Sequence, residues 1–163
     1  MDEIARETLQ YNRWANLQLL ESCAGLSDAQ LQLTTPGTYG TIAATWVHLL
    51  GAEQRYLRRL TGAEPTLSEK NEFPGIAALK EHARHSGDGL VAAAEHLKPD
   101  DTTDVDFDGE NVRLRKSLIV VQAIHHGNDH RTHICAVLGS HSIPFEDIQV
   151  WSYMLALHRG VAI

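Results

Sequence analysis

Long segments with apolar residues at helical spacing make up most of this 163-residue chain. Apolar side chains that recur every three to four positions form one face of a helix, and that face packs against a core. Glycine and proline residues separate the segments, as they do at helix ends. The pattern predicts an all-α protein with helices at about residues 2–23, 41–60, 76–97, 117–139 and 145–158.

The segment between Asp101 and Lys116 has a different pattern. Thr103, Val105 and Phe107 alternate with aspartates, and Asp108-Gly109-Glu110-Asn111 separates them from a second short apolar run. Alternation around a glycine-containing turn predicts a short β-hairpin before the fourth long helix. The length of the chain and the absence of internal repeats predict a single domain over residues 1–163. The connectors are too long to force simple up-and-down neighbours, so we expect a bundle of another connectivity.

Composition excludes several classes of function. The formal net charge of −7 argues against nucleic acid or an anionic lipid surface as the main partner. No apolar run is long enough to span a bilayer, and the acidic start Met1-Asp2-Glu3 gives no secretory signal. Cys23 and Cys135 form neither a disulfide framework nor a zinc motif, so we expect a reducing, cytoplasmic location.

The first predicted helix is apolar on two sides. One stripe contains Tyr11 and Leu19, and the opposite side carries Leu9, Leu17 and Leu20. Such a helix is either buried in the centre of the protein or forms half of a subunit contact. The second apolar face of this helix predicts a homodimer.

Histidines are concentrated in the fourth long helix, where four of the ten fall within residues 125–133. On a helix, His126, His130 and His133 lie within roughly 60° of one another, on the face that also carries core-type residues. Two imidazoles one turn apart can converge on one metal ion, which satisfies both polar rings on an apolar stripe. The third ring, His133, has three open roles: ligand, partner of a ligand, or part of a substrate pocket. Asp129 lies close enough to orient a ligand.

A catalytic metal usually has a third protein ligand from another element. His48 is the only histidine of the second long helix, but it lies about 120° from Ile42, away from the centre of the apolar stripe. Glu53 lies on that stripe, so periodicity leaves His48 and Glu53 as near-equal candidates. His125 is expected at the surface, and so are the remaining histidines, His82, His85, His96, His141 and His158.

Several motifs together resemble the DinB (DinB/YfiT-like) family of metal-dependent enzymes. The matching segments are residues 11–17 (YNRWANL), 45–53 (TWVHLLGAE), 126–131 (HGNDHR) and 143–153 (IPFEDIQVWSY). The resemblance implies a four-helix bundle of non-up-down connectivity, frequently dimeric. It also implies a single divalent ion, Zn or Ni, held by His48, His126 and His130. His125 and His133 depart from the commoner family pattern.

The same resemblance implies one of two reactions on small electrophiles: metal-dependent hydrolysis, or transfer of a low-molecular-weight thiol. The chain has no Gly-x-Ser-x-Gly motif and neither cysteine is near the histidines, so we do not expect a protein nucleophile. His133, Asp129 and Tyr11 are instead predicted to position the substrate. The alternative is a stress protein that binds a metal or a small molecule without turnover. A DNA-acting protein is disfavoured by the charge.

Overall fold

The computed structural model describes residues 3–161. The helices are α1 (Glu3–Ser22), α2 (Asp28–Leu31), α3 (Ile42–Thr61), α4 (Ile76–Glu95), α5 (Lys116–Ser140) and α6 (Val150–His158). Strands β1 (Thr102–Phe107) and β2 (Glu110–Arg115) form an antiparallel hairpin between α4 and α5. The mostly helical class, the hairpin and the C-terminal helix are confirmed. The predicted start of the first helix at Asp2 lies outside the described residues.

Local sequence signals explain where these elements begin and end. The Thr41 hydroxyl accepts a hydrogen bond from the Ala44 amide at 3.1 Å, which caps the first turn of α3. Gly62 ends the same helix with a positive φ of 84°. Asp108 and Gly109 both have positive φ, 53° and 90°, as a two-residue turn between twisted antiparallel strands requires.

The one-turn helix α2 was not predicted, since glycine and proline around it indicate a connector. Ser27 and Gln30 nevertheless form a complete capping box, in which each side chain bonds to the backbone of the other. The Ser-x-x-Gln spacing was therefore the available signal.

The four long helices form a bundle in which consecutive helices are not always neighbours. α1 packs against α4 and α5, and α3 packs against the same two helices. The first two long helices therefore lie across a diagonal of the bundle, which agrees with the predicted departure from up-and-down order. Within residues 3–161, no helix combines the length and apolar character needed to cross a membrane.

Both apolar faces of α1 are used inside the protein. Leu9 and Leu20 are 1% and 0% exposed and belong to two different core clusters, and Leu17 packs beside the second of these residues. Of the two expectations for this helix, central burial is therefore the observed one. The reasoning that derived a subunit contact from its second face is wrong, because α4 and α5 cover the helix on both sides.

A network of buried polar side chains crosses the middle of the bundle. Glu53 of α3 and Arg131 of α5 are 2% and 1% exposed. They are joined by Asn12 and Asn16 of α1, whose amide groups each donate to Glu53 Oε2 at 3.1 Å. The amide oxygens accept from Arg131 Nη1 at 2.8 and 2.7 Å. Ser86 of α4 donates to the other carboxylate oxygen.

This network also explains the glycine inside the histidine motif. A Cβ atom at Gly127 would lie 2.6 Å from Asn12 Oδ1 and 2.9 Å from Arg131 Nη1. Because the polar atoms fill the space beside α5, a side chain at this position would displace them. Gly127 therefore lets α5 approach α1 closely.

Candidate metal centre

Three histidines from two packed helices converge at one point. His48 comes from α3, and His126 and His130 come from adjacent turns of α5. The Nε2 atoms of His48 and His126 are 3.1 Å apart, and one ligand atom from each of the three rings lies within 4.8 Å of the others. Metal–imidazole bonds of roughly 2.0–2.1 Å place ligand nitrogens at separations of this order. The number, type and spacing of these groups fit a divalent ion.

The electrostatic environment keeps these imidazoles neutral. Burial lowers the pKa of His126 to about 3, with further contributions from the nearby His130 and His48 rings. Burial likewise lowers the pKa of His130 to about 4, and His48 and His133 add to the effect. The pKa of His48 is also lowered by burial, although Glu69 opposes the shift. Neutral rings present the lone pairs that a metal requires.

The Glu69 carboxylate contacts the ring nitrogen of His48 that does not face His126. Glu69 Oε2 lies 3.0 Å from His48 Nδ1, and the other oxygen of the same group forms an ion pair with Arg55. A carboxylate on the distal ring nitrogen fixes the orientation of a ligating histidine and raises its basicity.

Glu69 lies in the connector between α3 and α4, and hydrogen bonds hold this connector against α3. Gln54 Oε1 accepts hydrogen bonds from the backbone amides of Thr66 and Leu67 at 2.8 and 3.0 Å. A Cβ at Gly51 would lie 2.6 Å from the Glu69 amide nitrogen, so this glycine allows the connector to cross the helix. His82, predicted at the surface, contacts the Gln54 amide at 3.1 Å and is half-buried. That prediction is wrong, because α4 packs beside the connector.

Tyr39 covers the histidine group from the connector before α3. Its ring stacks on His48 with centroids 4.1 Å apart and meets His130 edge-on at 5.0 Å. It also lines a cavity of about 290 Å³ beside His48, together with Gln32, Thr41, Glu69 and Asn71. Of the three histidines, His48 lines this cavity, which gives a small molecule access to its ring.

The other residues proposed from sequence occupy different places. The His133 ring lies 5.4 Å from that of His130, and its Nδ1 is buried without a hydrogen-bond partner among residues 3–161. Asp129 is exposed and lies 3.0 Å from His125, so its carboxylate meets that surface histidine. Tyr11 donates to the Ile148 carbonyl oxygen at 3.1 Å between α1 and α6. The structure brings neither Tyr11 nor Asp129 into the three-histidine group, and their substrate-positioning roles stay predictions.

Of the two candidates for the third ligand, only His48 joins His126 and His130. The Glu53 carboxylate instead makes its hydrogen bonds to Asn12, Asn16 and Ser86 within the core. Sequence reasoning missed Tyr39 and Glu69. Both lie in irregular connectors, where no periodicity indicates direction.

Comparison with known proteins agrees with this fold. The model of the DinB family matches residues 1–142. No curated protein matches the chain. Among solved structures, a DinB-like protein from Bacillus cereus ATCC 10987 superposes with a TM-score of 0.65 at 19% identity, over 86% of this chain and 92% of that one. At this level of identity the likeness establishes the fold alone.

Proposed function

We propose that this chain, which belongs to the DinB family, is a divalent-metal-dependent enzyme that acts on small electrophiles. His48, His126 and His130 would hold a single ion, with Zn and Ni as the best candidates because imidazole suits both. One observation carries the proposal: three imidazoles from two helices meet with ligand atoms within 4.8 Å of one another. Three protein ligands leave room at the ion for a water molecule or a substrate.

The proposed chemistry is either hydrolysis or transfer of a low-molecular-weight thiol. When bound, such an ion lowers the pKa of a coordinated water or thiol and so supplies a nucleophile at neutral pH. The protein offers no cysteine in this role, because burial raises the pKa of both Cys23 and Cys135 to about 11.

The surrounding residues support the ligands and shape access. The Glu69 carboxylate contacts Nδ1 of His48, and the Tyr39 ring stacks on the face of the same imidazole. His133 lies beside His130 and is half-buried; its Nδ1 is enclosed, so a hydrogen bond to a substrate would use its Nε2. The two proposed reactions need the same arrangement, so geometry does not separate them.

Metal content tests the proposal. After reconstitution with Zn²⁺ or Ni²⁺ and removal of excess ion, elemental analysis should find one ion per chain in the wild type. The variant His126→Ala should lose it, while His125→Ala is the matched control, because the neighbouring ring is exposed and outside the group. Retention of metal by a folded His126→Ala protein, or loss in both variants, would refute the assignment.

Turnover then separates the two reactions. The metal-loaded protein is incubated with chlorodinitrobenzene and bacillithiol, mycothiol or glutathione, and adduct formation is followed. Thiol-dependent product that disappears in His126→Ala supports transfer. Hydrolysis of esters, amides or lactones without a thiol supports the hydrolase.

A non-catalytic metal-binding protein is the second candidate. His133 is the residue that tests it, because its ring lies 5.4 Å from that of His130 but outside the three-histidine group. A fourth protein ligand would close the coordination sphere, as in structural sites. Replacement of His133 by alanine should then weaken metal retention as much as His126→Ala does. If His133→Ala keeps its metal but loses turnover, the site is open and catalytic.

A cytoplasmic homodimer is part of the same proposal. Its support is the surface of α6, where Val150, Trp151, Met154, Leu155 and Leu157 are 42–71% exposed. An apolar surface of this kind marks an interaction site. Sedimentation equilibrium of the wild type and of Trp151→Glu would test it, since an introduced charge at a subunit contact should give monomers.

A further inference from the structure

One face of α3 leads from the metal centre toward the hairpin. Arg55 and Arg59 follow His48 by seven and eleven positions, so each lies within about 20° of His48 around the helix axis. With a rise of about 1.5 Å per residue, the Cα atoms of Arg55 and Arg59 lie about 10 and 16 Å from that of His48. Helical side chains lean toward the N-terminus, so the guanidinium groups lie nearer to His48 than these values.

A cavity of about 720 Å³ lies along this face. Arg55, Arg58, Arg59 and Lys116 line it on the helical side, and residues of β1 line the opposite side. Arg55 links this cavity to the histidine group, because it is paired with the same Glu69 carboxylate that contacts His48.

The arginines of this cavity differ in how they are neutralised. Arg55 pairs with Glu69, and Arg58 pairs with Glu64 at 3.2 Å. For Arg59, no carboxylate of residues 3–161 lies within ion-pair distance. Partial burial and the neighbouring Arg55 charge lower its pKa, although Tyr56 and Glu69 oppose the shift. Two close guanidinium groups with one left unpaired repel each other, and an anion between them would remove that cost.

The carboxylates on the facing strand do not fill this role. Asp104 is engaged by Arg113 at 2.9 Å, and Asp106 accepts a hydrogen bond from the Gly109 amide at 3.0 Å in the hairpin turn. Lys116, whose ammonium group donates to the Leu60 carbonyl oxygen at 2.8 Å, adds another positive charge at this end. The cavity thus brings together four cationic side chains and two carboxylates, Asp104 and Asp106, in a chain whose net charge is −7.

We propose that Arg59, assisted by Arg55, forms an anion-binding subsite for the substrate of the metal centre. The substrate class is a small molecule with a carboxylate or phosphate on the order of 10 Å from the group that reaches the ion. Guanidinium groups bind such anions through paired, charge-assisted hydrogen bonds. This inference rests on the metal-dependent function proposed above and specifies what that site would select.

Two hydroxamic acids test the subsite independently of the reaction. Hydroxamates chelate divalent ions, and suberic acid monohydroxamate differs from octanohydroxamic acid by a terminal carboxylate. Isothermal titration of the metal-loaded wild type should show about tenfold tighter binding of the carboxylate, the effect of one charge-assisted hydrogen bond. Arg59→Gln should reduce this preference to less than twofold. Arg58→Gln removes the same charge from the same helix but from a side chain paired with Glu64, and should keep the preference.

The outcomes distinguish the subsite from the metal centre itself. Equal affinity of the two hydroxamates for the wild type, or equal losses in the two arginine variants, would overturn the subsite. Binding of neither compound by a protein shown to contain its metal would do the same. A protein without metal by elemental analysis instead refutes the metal-dependent function, and the substrate assignment with it. Succinic acid monohydroxamate, too short to reach Arg59, should respond to neither substitution.

Discussion

The charge of Arg131 should be among the largest single contributions to stability, because it compensates a carboxylate in the core. Arg131 and Glu53 are both almost fully buried and are linked through two asparagine amides. Arg131→Met keeps most of the side-chain volume but leaves Glu53 without compensation. Breaking a buried pair in this way costs about 3–5 kcal/mol. That is a large share of the roughly 5–15 kcal/mol that stabilises a domain.

Urea unfolding followed by circular dichroism measures this effect. With a slope of about 2 kcal/mol per molar, the expected loss moves the midpoint down by about 2 M. Arg84→Met is the control, because Arg84 is an exposed residue that pairs with Glu81 one helical turn away, and it should change stability by less than about 0.5 kcal/mol.

A double substitution separates lost charge compensation from lost packing. Glu53→Gln in the Arg131→Met background removes the stranded charge, so the double variant should be no less stable than Arg131→Met alone. Additive losses from Glu53→Gln and Arg131→Met would refute the reasoning, since coupled partners are not additive. Burial already raises the pKa of Glu53. In native Arg131→Met, Glu53 should therefore hold a proton that it has lost in the unfolded chain. The loss of stability relative to the wild type should then shrink as the pH falls toward about 5.

Three further outcomes follow from the site. Glu69→Gln should weaken metal binding by about 10–100-fold in a chelator competition assay, because it removes the carboxylate behind His48; an unchanged affinity would contradict that role. The metal-free protein should lose stability as the pH falls from about 6.5 toward 4. In this range His126 is protonated in the unfolded chain but stays neutral in the native state, where its pKa is about 3. Thermal unfolding of His126→Gln should show a smaller loss, and equal losses would count against this explanation. Gly127→Ala should destabilise the protein by about 1–3 kcal/mol in chemical denaturation, because the added Cβ is overpacked. Gly139→Ala is the control: a Cβ there would lie 4.0 Å from Phe145, so the change should be neutral or slightly stabilising. Similar effects at both positions would be inconsistent with the crowding at Gly127.

Helical periodicity predicted most of the fold, because each long helix buries a continuous apolar stripe. It also predicted that His126 and His130 share a face, since both belong to one regular element. Periodicity did not choose His48 over Glu53. Glu53 lies on the apolar stripe of α3 because Asn12 and Asn16 satisfy it there, and such compensation across helices leaves no trace in the spacing along either one.

The residues that surround the three histidines were less predictable. Tyr39 and Glu69 reach the site from connectors, whose path depends on contacts such as those of Gln54 with residues 66 and 67. These contacts join positions twelve or more apart in a segment without regular geometry. Only the three-dimensional arrangement shows that the connector returns to α3 at Gly51.

Because the connector is a separate segment, the positions of the three histidine rings and the carboxylate beside His48 could be altered independently, by evolution or by design. The three histidine rings belong to helices whose positions are fixed by the core. The carboxylate that contacts His48 instead belongs to the connector, which is bound by Gln54 and packs on Gly51. Relatives could exchange this connector, and with it the basicity of the His48 ring, without rebuilding the bundle. Replacing the connector between α3 and α4 with segments of other lengths and charges is therefore a direct way to vary the surroundings of His48 while the bundle stays the same.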